Sequence, residues 1–349
     1  MIKAVIRNKE FIFRQPATTS RGTLLKKHVF FIILYDTDNP LRRGIGECSM
    51  FPGLSMDDVD NFEKKLSDIV NMINKGWFNF KTPLREWPSI NFAIETALLD
   101  LKGGGQRILY PSEFTNGKDT ILINGLVWMG SKEEMLKQID EKISQGFHCL
   151  KLKIGAINFD DEYTLIQGIR LKFQSEVLEI RVDANGAFYP KEAIEKLKRL
   201  SDLDLHSIEQ PILPSQIDDM AKLCKISPLP IALDEELIGK YPLENKRRLL
   251  QIIKPQFIVL KPGLLGGIAS CEEWITIANE MNIGWWVTSS LETNIGLNAI
   301  AQWTYTLNNP MHQGLSTGLL FENNINSPLA LIGEKLYYFP RKKWDNLFD

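Results

Sequence analysis

The sequence predicts an α/β protein: a (β/α)7–8 TIM-type barrel preceded by an α+β capping domain. Three observations carry that prediction. From Thr120 onward, short apolar runs alternate with helical patterns about eight times, which is the rhythm of parallel βαβ units closing into a barrel. Acidic and basic residues fall at the ends of five successive runs, 25 to 30 residues apart, close to the length of one strand-helix unit. Residues 1–105 lack this rhythm and place their strands before their helices, the order of an α+β unit.

Taken in order, residues 2–14 and 27–35 read as strands and 44–48 as a short third. Helices are expected over 55–75, opened by Ser-x-x-Asp at Ser55, and over 88–102 behind Pro88. Gly103-Gly104-Gly105 is a breaker cluster, so the domain boundary is set there, with 106–319 as the barrel. Barrel strands are expected at 121–126, 149–154, 178–183, 207–209, 231–234, 257–261, 284–289 and, more weakly patterned, 313–315. Helical periodicity fills the gaps at 133–144, 160–172, 191–200, 214–225, 243–251, 268–281 and 294–306. An open doubly wound sheet is disfavoured, since no Gly-x-Gly-x-x-Gly opens a helix after an early strand; Gly263-Leu-Leu-Gly-Gly267 follows the sixth strand. The tail, about 320–349, holds a strand-like run at 335–339 expected to return to the N-terminal unit.

Composition narrows the partners. A net charge of -2, with 44% hydrophobic and 24% charged residues, is that of an ordinary soluble protein and gives no reason to expect nucleic acid or an anionic membrane. The basic pairs Lys26-Lys27 and Arg42-Arg43 and the run 341–343 are read as solvated faces. Cys48, Cys149, Cys224 and Cys271 form no Cys-x-x-Cys, which argues against a disulfide framework or a structural zinc and suits a reducing cytosol. The first ten residues are too charged for a signal peptide, and no apolar run approaches a membrane span. A cytoplasmic enzyme is expected, its oligomeric state open.

The chemistry lies in the strand ends. The run Leu-Glu-Ile-Arg-Val-Asp-Ala-Asn-Gly over 178–186 alternates like a strand and then breaks into a turn at Asp183. Glu209 and Asp234 close the next two strands. An acid at one strand end is ordinarily the cap of the following helix. Three at matched ends converge on the barrel mouth, where they repel unless a cation sits among them. With no His or Cys beside them, oxygen ligands favour Mg²⁺, with Mn²⁺ next. Lys151 and Lys153 share a strand face and point into the same mouth, with Lys261 opposite. A lone lysine is usually a snorkelling surface residue, but Lys153 and Lys261 each end an otherwise apolar strand. Lys151 and a bound cation lower the pKa of Lys153 and make it a usable base near neutral pH. That arrangement suits removal of a proton α to a carboxylate.

The succession Lys-Leu-Lys at 151–153, Arg-Val-Asp-Ala-Asn-Gly at 181–186, Ile-Glu-Gln-Pro at 208–211, Leu-Asp-Glu at 233–235 and Leu-Lys-Pro at 260–262 resembles the muconate-lactonizing subgroup of the enolase superfamily. The resemblance spans nearly the whole chain, since residues 1–105 are similar to that superfamily's capping domain. It implies that Lys153 and Lys261 are the acid/base lysines, that Lys151 tunes Lys153, and that Asp183, Glu209 and Asp234 bind Mg²⁺. Stretches 46–55, 123–130, 289–298 and 313–318 are similar to those of the o-succinylbenzoate synthase family, although Met50 stands where Pro is common. The eighth strand also lacks the Asp-x-Asp by which dipeptide epimerases hold an amino group. On the substrate side the resemblance points to Asn185, Glu235, Ser289, Ser290, Gly314 and Leu315, with Glu235 positioning Lys261. Loops 18–24 and 49–54 would meet the substrate's tail and exclude water.

The implied partner is a small carboxylate, and the implied reaction a syn dehydration through an enediolate in menaquinone biosynthesis. An N-acylamino acid racemase or dipeptide epimerase is the alternative, since one constellation serves several reactions. A non-catalytic barrel is disfavoured, because buried lysines and clustered acids cost stability.

Overall fold

The computed structural model describes residues 1–19 and 22–345. The chain opens with a three-stranded antiparallel sheet of β1 (Ile2–Thr19), β2 (Gly22–Asp36) and β3 (Asn39–Cys48), in that order. All residues from Val29 to Leu34 of β2 are buried. Phe30, Ile32 and Leu34 face the domain's own helices, whereas Val29, Phe31 and Ile33 face Leu291 and Ile295 of the barrel and Phe321 of the tail. A central strand covered on both faces has no polar side, which is why this run reads as continuously apolar. Helix α2 (Pro88–Lys102) lies across β3 so closely that a Cβ on Gly46 would fall 1.8 Å from the Ala93 carbonyl oxygen. A side chain there is sterically excluded.

Helix α1 spans Phe62–Asn74 and starts seven residues later than the sequence pattern suggests. The Ser-x-x-Asp signal caps the preceding loop instead. Ser55 Oγ accepts from Phe51 N–H at 2.8 Å, and Asp58 accepts from Gly53 N–H at 2.6 Å. Asp57 is turned inward and accepts from both the amide and the hydroxyl of Ser89. The carboxylates that look like a helix cap tie the loop down.

After α2 the chain forms turns to residue 120 and then enters the barrel. Seven parallel strands follow: β5 (Gly125–Val127), β6 (Cys149–Lys153), β7 (Glu179–Asp183), β8 (Ser207–Glu209), β9 (Ile231–Leu233), β10 (Phe257–Leu260) and β11 (Gly284–Val287), neighbours in chain order. Helices lie between them, among them α6 (Ile217–Ile226), α9 (Ile268–Glu280) and α10 (Asn294–Thr306). Helix α6 begins after a turn at Pro214 and Ser215, not at Pro214 itself, because Ser215 adopts a positive φ of 73° and donates its amide to Glu236. The expected eighth strand is reduced to two parallel bridges, Ile123 to Gln313 and Thr288 to Gly314, which carry hydrogen bonding from β11 back towards the start of the barrel.

Two expectations fail together at the barrel's lower rim. The strand expected over 121–126 is split, because Ile123 N–H donates to Glu334 O and Asn124 N–H to Gln313 O. Its first half, β4 (Ile121–Leu122), leaves the barrel and pairs with the tail hairpin β12 (Leu329–Ile332) and β13 (Lys335–Tyr338). The strand-like tail run therefore returns to the barrel, not to the N-terminal sheet. Residues just upstream of it do touch that sheet, among other contacts through Arg14 N–H to Leu320 O and Glu322 N–H to Ile12 O.

Period-two alternation sorts each barrel strand into two faces. Leu150, Leu152, Ile180 and Val182 join the large core. Lys151, Lys153, Arg181 and Asp183 turn inward instead and pair with one another or their neighbours. Across the interior, Ala232, Val259 and Trp286 form a small apolar cluster with Phe257 and Met311. The barrel's centre is thus half ionic and half apolar. Among the described residues, no helix is long and apolar enough to cross a membrane.

Candidate active site

Strand register brings the charged residues together. In the parallel pairing Lys153 lies beside Asp183 and Asp183 beside Glu209, with Asp234 and Lys261 ending the next two strands. Lys153 Nζ donates to Asp183 Oδ2 at 2.5 Å and to Asn185 Oδ1 at 2.9 Å. Lys151 Nζ bridges Asp183 Oδ2 at 2.8 Å and Glu209 Oε2 at 2.5 Å. Lys261 is hydrogen-bonded to Asp234 and stands 3.9 Å from Glu209 Oε1. All six charged side chains, and Asn185, are buried. Asn185 reaches Lys153 because the turn after β7 puts it at a φ of 44°, a left-handed conformation that asparagine tolerates.

Burial and mutual charge set the protonation of the group. Burial raises the Asp183 carboxyl, but the ammonium groups of Lys151, Lys153 and Lys261 outweigh it and hold the group well below the usual carboxylate range. Glu209 is pushed up to about 8 by burial and by the charge of Asp183. Burial lowers the Lys153 ammonium and Lys151 lowers it further, against the pull of Asp183. Lys261 goes the other way, since Asp234, Glu209 and Glu235 overcome its desolvation. One lysine is thus biased towards the neutral form and the lysine across from it towards the cation.

The three carboxylates can hold a hard cation. Glu209 Oε1 is buried and has no hydrogen-bond partner among the described residues. Glu209 lies between Asp183 and Asp234 in strand order, and a doubly charged cation among the three would relieve the same repulsion that raises the Glu209 pKa. The acids are more spread than the strand-end pattern suggests, because each is drawn to a lysine; they do not gather one oxygen apiece within 4.8 Å.

Above this floor opens a cleft whose empty space, open solvent included, is about 650 Å³. Lys151, Lys153, Lys261 and Asn185 form its base, and Ser289, Ser290 and Gly314 one wall. Gly314 is confined by the closing bridge, where a Cβ would fall 2.1 Å from Thr288 Oγ1. Two of the expected substrate contacts are elsewhere. Leu315 points into the core and is fully buried, since side chains alternate on either side of Gly314; Ser316 lines the cavity instead. Glu235 sits behind the floor and accepts from Asn185 Nδ2 at 3.0 Å. Phe51 and Leu54 of the capping loop do line the cavity. Of the expected loop 18–24, residues 18, 19 and 22–24 pair between β1 and β2 and none of these lines the cavity; Ser20 and Arg21 lie outside the described residues. Asn124, Leu126, Trp128 and Leu264 complete the walls, and no charge or turn chemistry marked them in the sequence.

The clearest omission is Lys27. Lys26 is indeed solvated and pairs with Glu10, but Lys27 is only 2% exposed. Alternation along β2 turns it towards the barrel, where its Nζ donates to Ser49 Oγ at 2.5 Å, Leu291 O at 3.0 Å and Ser290 O at 3.2 Å. Leu291 lines the cavity at a φ of 63°, a conformation that costs a bulky residue about 1–3 kcal/mol. Glu47 on the next strand accepts from Thr293 and from Gly296 N–H on the same barrel segment. The capping sheet thus pins one wall of the cavity. Lys27→Met keeps the bulk and removes the bonds, each worth about 1.5–3 kcal/mol for a charged donor. It is expected to lower kcat/KM about tenfold or more and to reduce Tm. Unchanged kinetics with a folded protein would show that Leu291 holds itself.

Comparison with known proteins agrees with this geometry. The family model described as "Enolase C-terminal domain-like" matches residues 134–336. A curated o-succinylbenzoate synthase from Desulfotalea psychrophila is 45% identical over 94% of this chain and 96% of its own. The solved structure of MenC from Desulfotalea psychrophila superimposes with a TM-score of 0.84 at 41% identity, covering 96% of this chain and 99% of that one. The L-Ala-D/L-Glu epimerase of Bacillus subtilis is a more distant relative, 25% identical over 88% of this chain and 85% of its own. The chain belongs to the enolase superfamily. Within it, the high-identity match is to the o-succinylbenzoate synthases, which are lyases.

Proposed function

We propose that this chain is a Mg²⁺-dependent o-succinylbenzoate synthase acting in menaquinone biosynthesis. It removes water from 2-succinyl-6-hydroxy-2,4-cyclohexadiene-1-carboxylate to give 2-succinylbenzoate. The observation that carries the choice of reaction is the 45% identity over almost the full length of a synthase, against 25% to an epimerase.

Asp183, Glu209 and Asp234 would hold the ion, which when bound supplies positive charge opposite the substrate carboxylate. Lys153, biased towards the neutral amine, takes the proton α to that carboxylate. The same ammonium then protonates the departing hydroxyl on the same face, so a single lysine completes a syn elimination. Lys261, biased towards the cation, offsets the charge of the enediolate from the opposite wall. Lys151 helps keep Asp183 ionised, favours the charged form of Glu209 against its burial, and depresses Lys153. Asn185 orients Lys153, with Glu235 behind it. The ring fits between Leu126, Trp128 and Leu264, while Phe51 and Leu54 limit water above it.

The test is a side-by-side assay of the cyclohexadiene substrate and an N-succinylamino acid, with Mg²⁺ present. Rapid dehydration with at most slow racemisation is expected. Racemisation faster than dehydration would reverse the assignment.

A further inference from the structure

The end of the barrel opposite the cavity carries a second polar cluster. Cys149 and Glu179 begin adjacent strands and are register partners, one layer below Lys151 and Arg181. His312 reaches the same place just before the chain bridges back into the barrel. One ligating atom from each of Cys149, Glu179 and His312 lies within 4.8 Å of the other two. The Cys149 thiol donates to Glu179 Oε1 at 3.2 Å, and Arg181 Nε donates to the same oxygen at 2.6 Å. No bond to Glu179 Oε2 occurs among the described residues, and that side chain is 30% exposed. His312 is also partly open to solvent, with its Nε2 3.5 Å from Glu334, which in turn bonds to His148. None of these residues faces the catalytic cavity.

We infer that Cys149, Glu179 and His312 form a site for a thiophilic divalent cation of the Zn²⁺ class at the closed end of the barrel. A thiolate, an imidazole and a carboxylate are ligand types that Zn²⁺ accepts, and the fourth tetrahedral position would face solvent and take water. Mg²⁺ is a poor competitor there, because it demands oxygen ligands in an octahedron. The two ends of the barrel therefore select different ions by donor chemistry. Binding replaces the proton of Cys149, which leaves to solvent as the sulfur–metal bond forms. The arriving double charge is balanced by the new thiolate and by Glu179, with Glu334 close by. Arg181, already bonded through Oε1, holds the Glu179 carboxylate in orientation and leaves Oε2 for the ion. Cysteine spacing gives no hint of such a site, since only one of the four cysteines takes part.

Co²⁺ is the probe, because its bond to a thiolate produces a near-ultraviolet charge-transfer band that oxygen ligands do not give. The titration is run on the intact protein with millimolar Mg²⁺ present to saturate the carboxylate site. A band that saturates at one equivalent is expected, absent in Cys149→Ser and requiring at least tenfold more Co²⁺ in His312→Ala. Zn²⁺ should abolish the band in wild type by displacement, and Zn²⁺ added instead to the metal-free protein should release about one proton per ion. Both variants should keep wild-type dehydration, since neither side chain reaches the cavity. If Cys149→Ser folds poorly, His312→Ala decides alone, because its side chain lies at the partly exposed rim, 20% open to solvent, and outside the hydrophobic core. No band in wild type, a band that survives Cys149→Ser, or unchanged affinity in His312→Ala would each overturn the site.

Discussion

Lys153→Ala is expected to reduce dehydration by about 10³–10⁴-fold, because one amine serves as base and then as acid and nothing nearby can replace it. Lys261 cannot, since it lies across the cavity and is biased towards the cation by Asp234 and Glu209. Lys261→Arg should be milder, retaining charge at a poorer fit, and Lys261→Ala intermediate. The decisive measurement is exchange of the α-proton in D₂O alongside turnover. In a one-base dehydratase, Lys153→Ala loses both, and Lys261→Ala retains exchange. An enzyme using both lysines on opposite faces would instead exchange both enantiomers of an N-succinylamino acid, with each variant losing one of them. That second pattern would mean the two lysines do equivalent work.

Asp234→Asn is expected to be nearly as damaging, by a different route. The substitution preserves shape but removes one of the charges that oppose a divalent cation, and it strips Lys261 of its closest partner. Activity should fall at least 10³-fold and Mg²⁺ affinity at least tenfold, while circular dichroism stays native because the barrel core lies on the other strand faces. Excess chelator should silence the wild-type enzyme reversibly. Full turnover in chelator would remove the cation from the reaction.

Most of the architecture was legible because periodicity reports burial, and burial decides strands and helices here. Helices at 88–102 and 294–306 were readable to the residue, since Pro88 and Thr293 mark their starts. The convergence of the six charged side chains at the strand ends was also legible, because a lysine or an acid ending an apolar strand has few structural explanations. The failures share another cause. The Ser55 to Asp58 signal, the split strand at Ile123 and the tail hairpin depend on partners distant in sequence, which local patterning does not contain. Lys27 is hidden for the same reason: beside Lys26 it looks like surface, and the packing of β2 against Ser290 and Leu291 buries it. Leu315 is the reverse case: it sits beside the cavity residue Gly314 in the motif, but alternation turns its side chain into the core.

The bonds from Lys27 and Glu47 to the segment 290–296 bear on how such an enzyme can change over generations. A cap carrying other residues at these two positions would leave Leu291 without its anchor and the amides of Thr293 and Gly296 without their carboxylate. Substitutions on the two sides of this seam should be strongly non-additive, since each half loses its partner when the other is altered. New specificity would then be reached by paired, stepwise replacement across the seam, and the cap and barrel would be inherited as one unit.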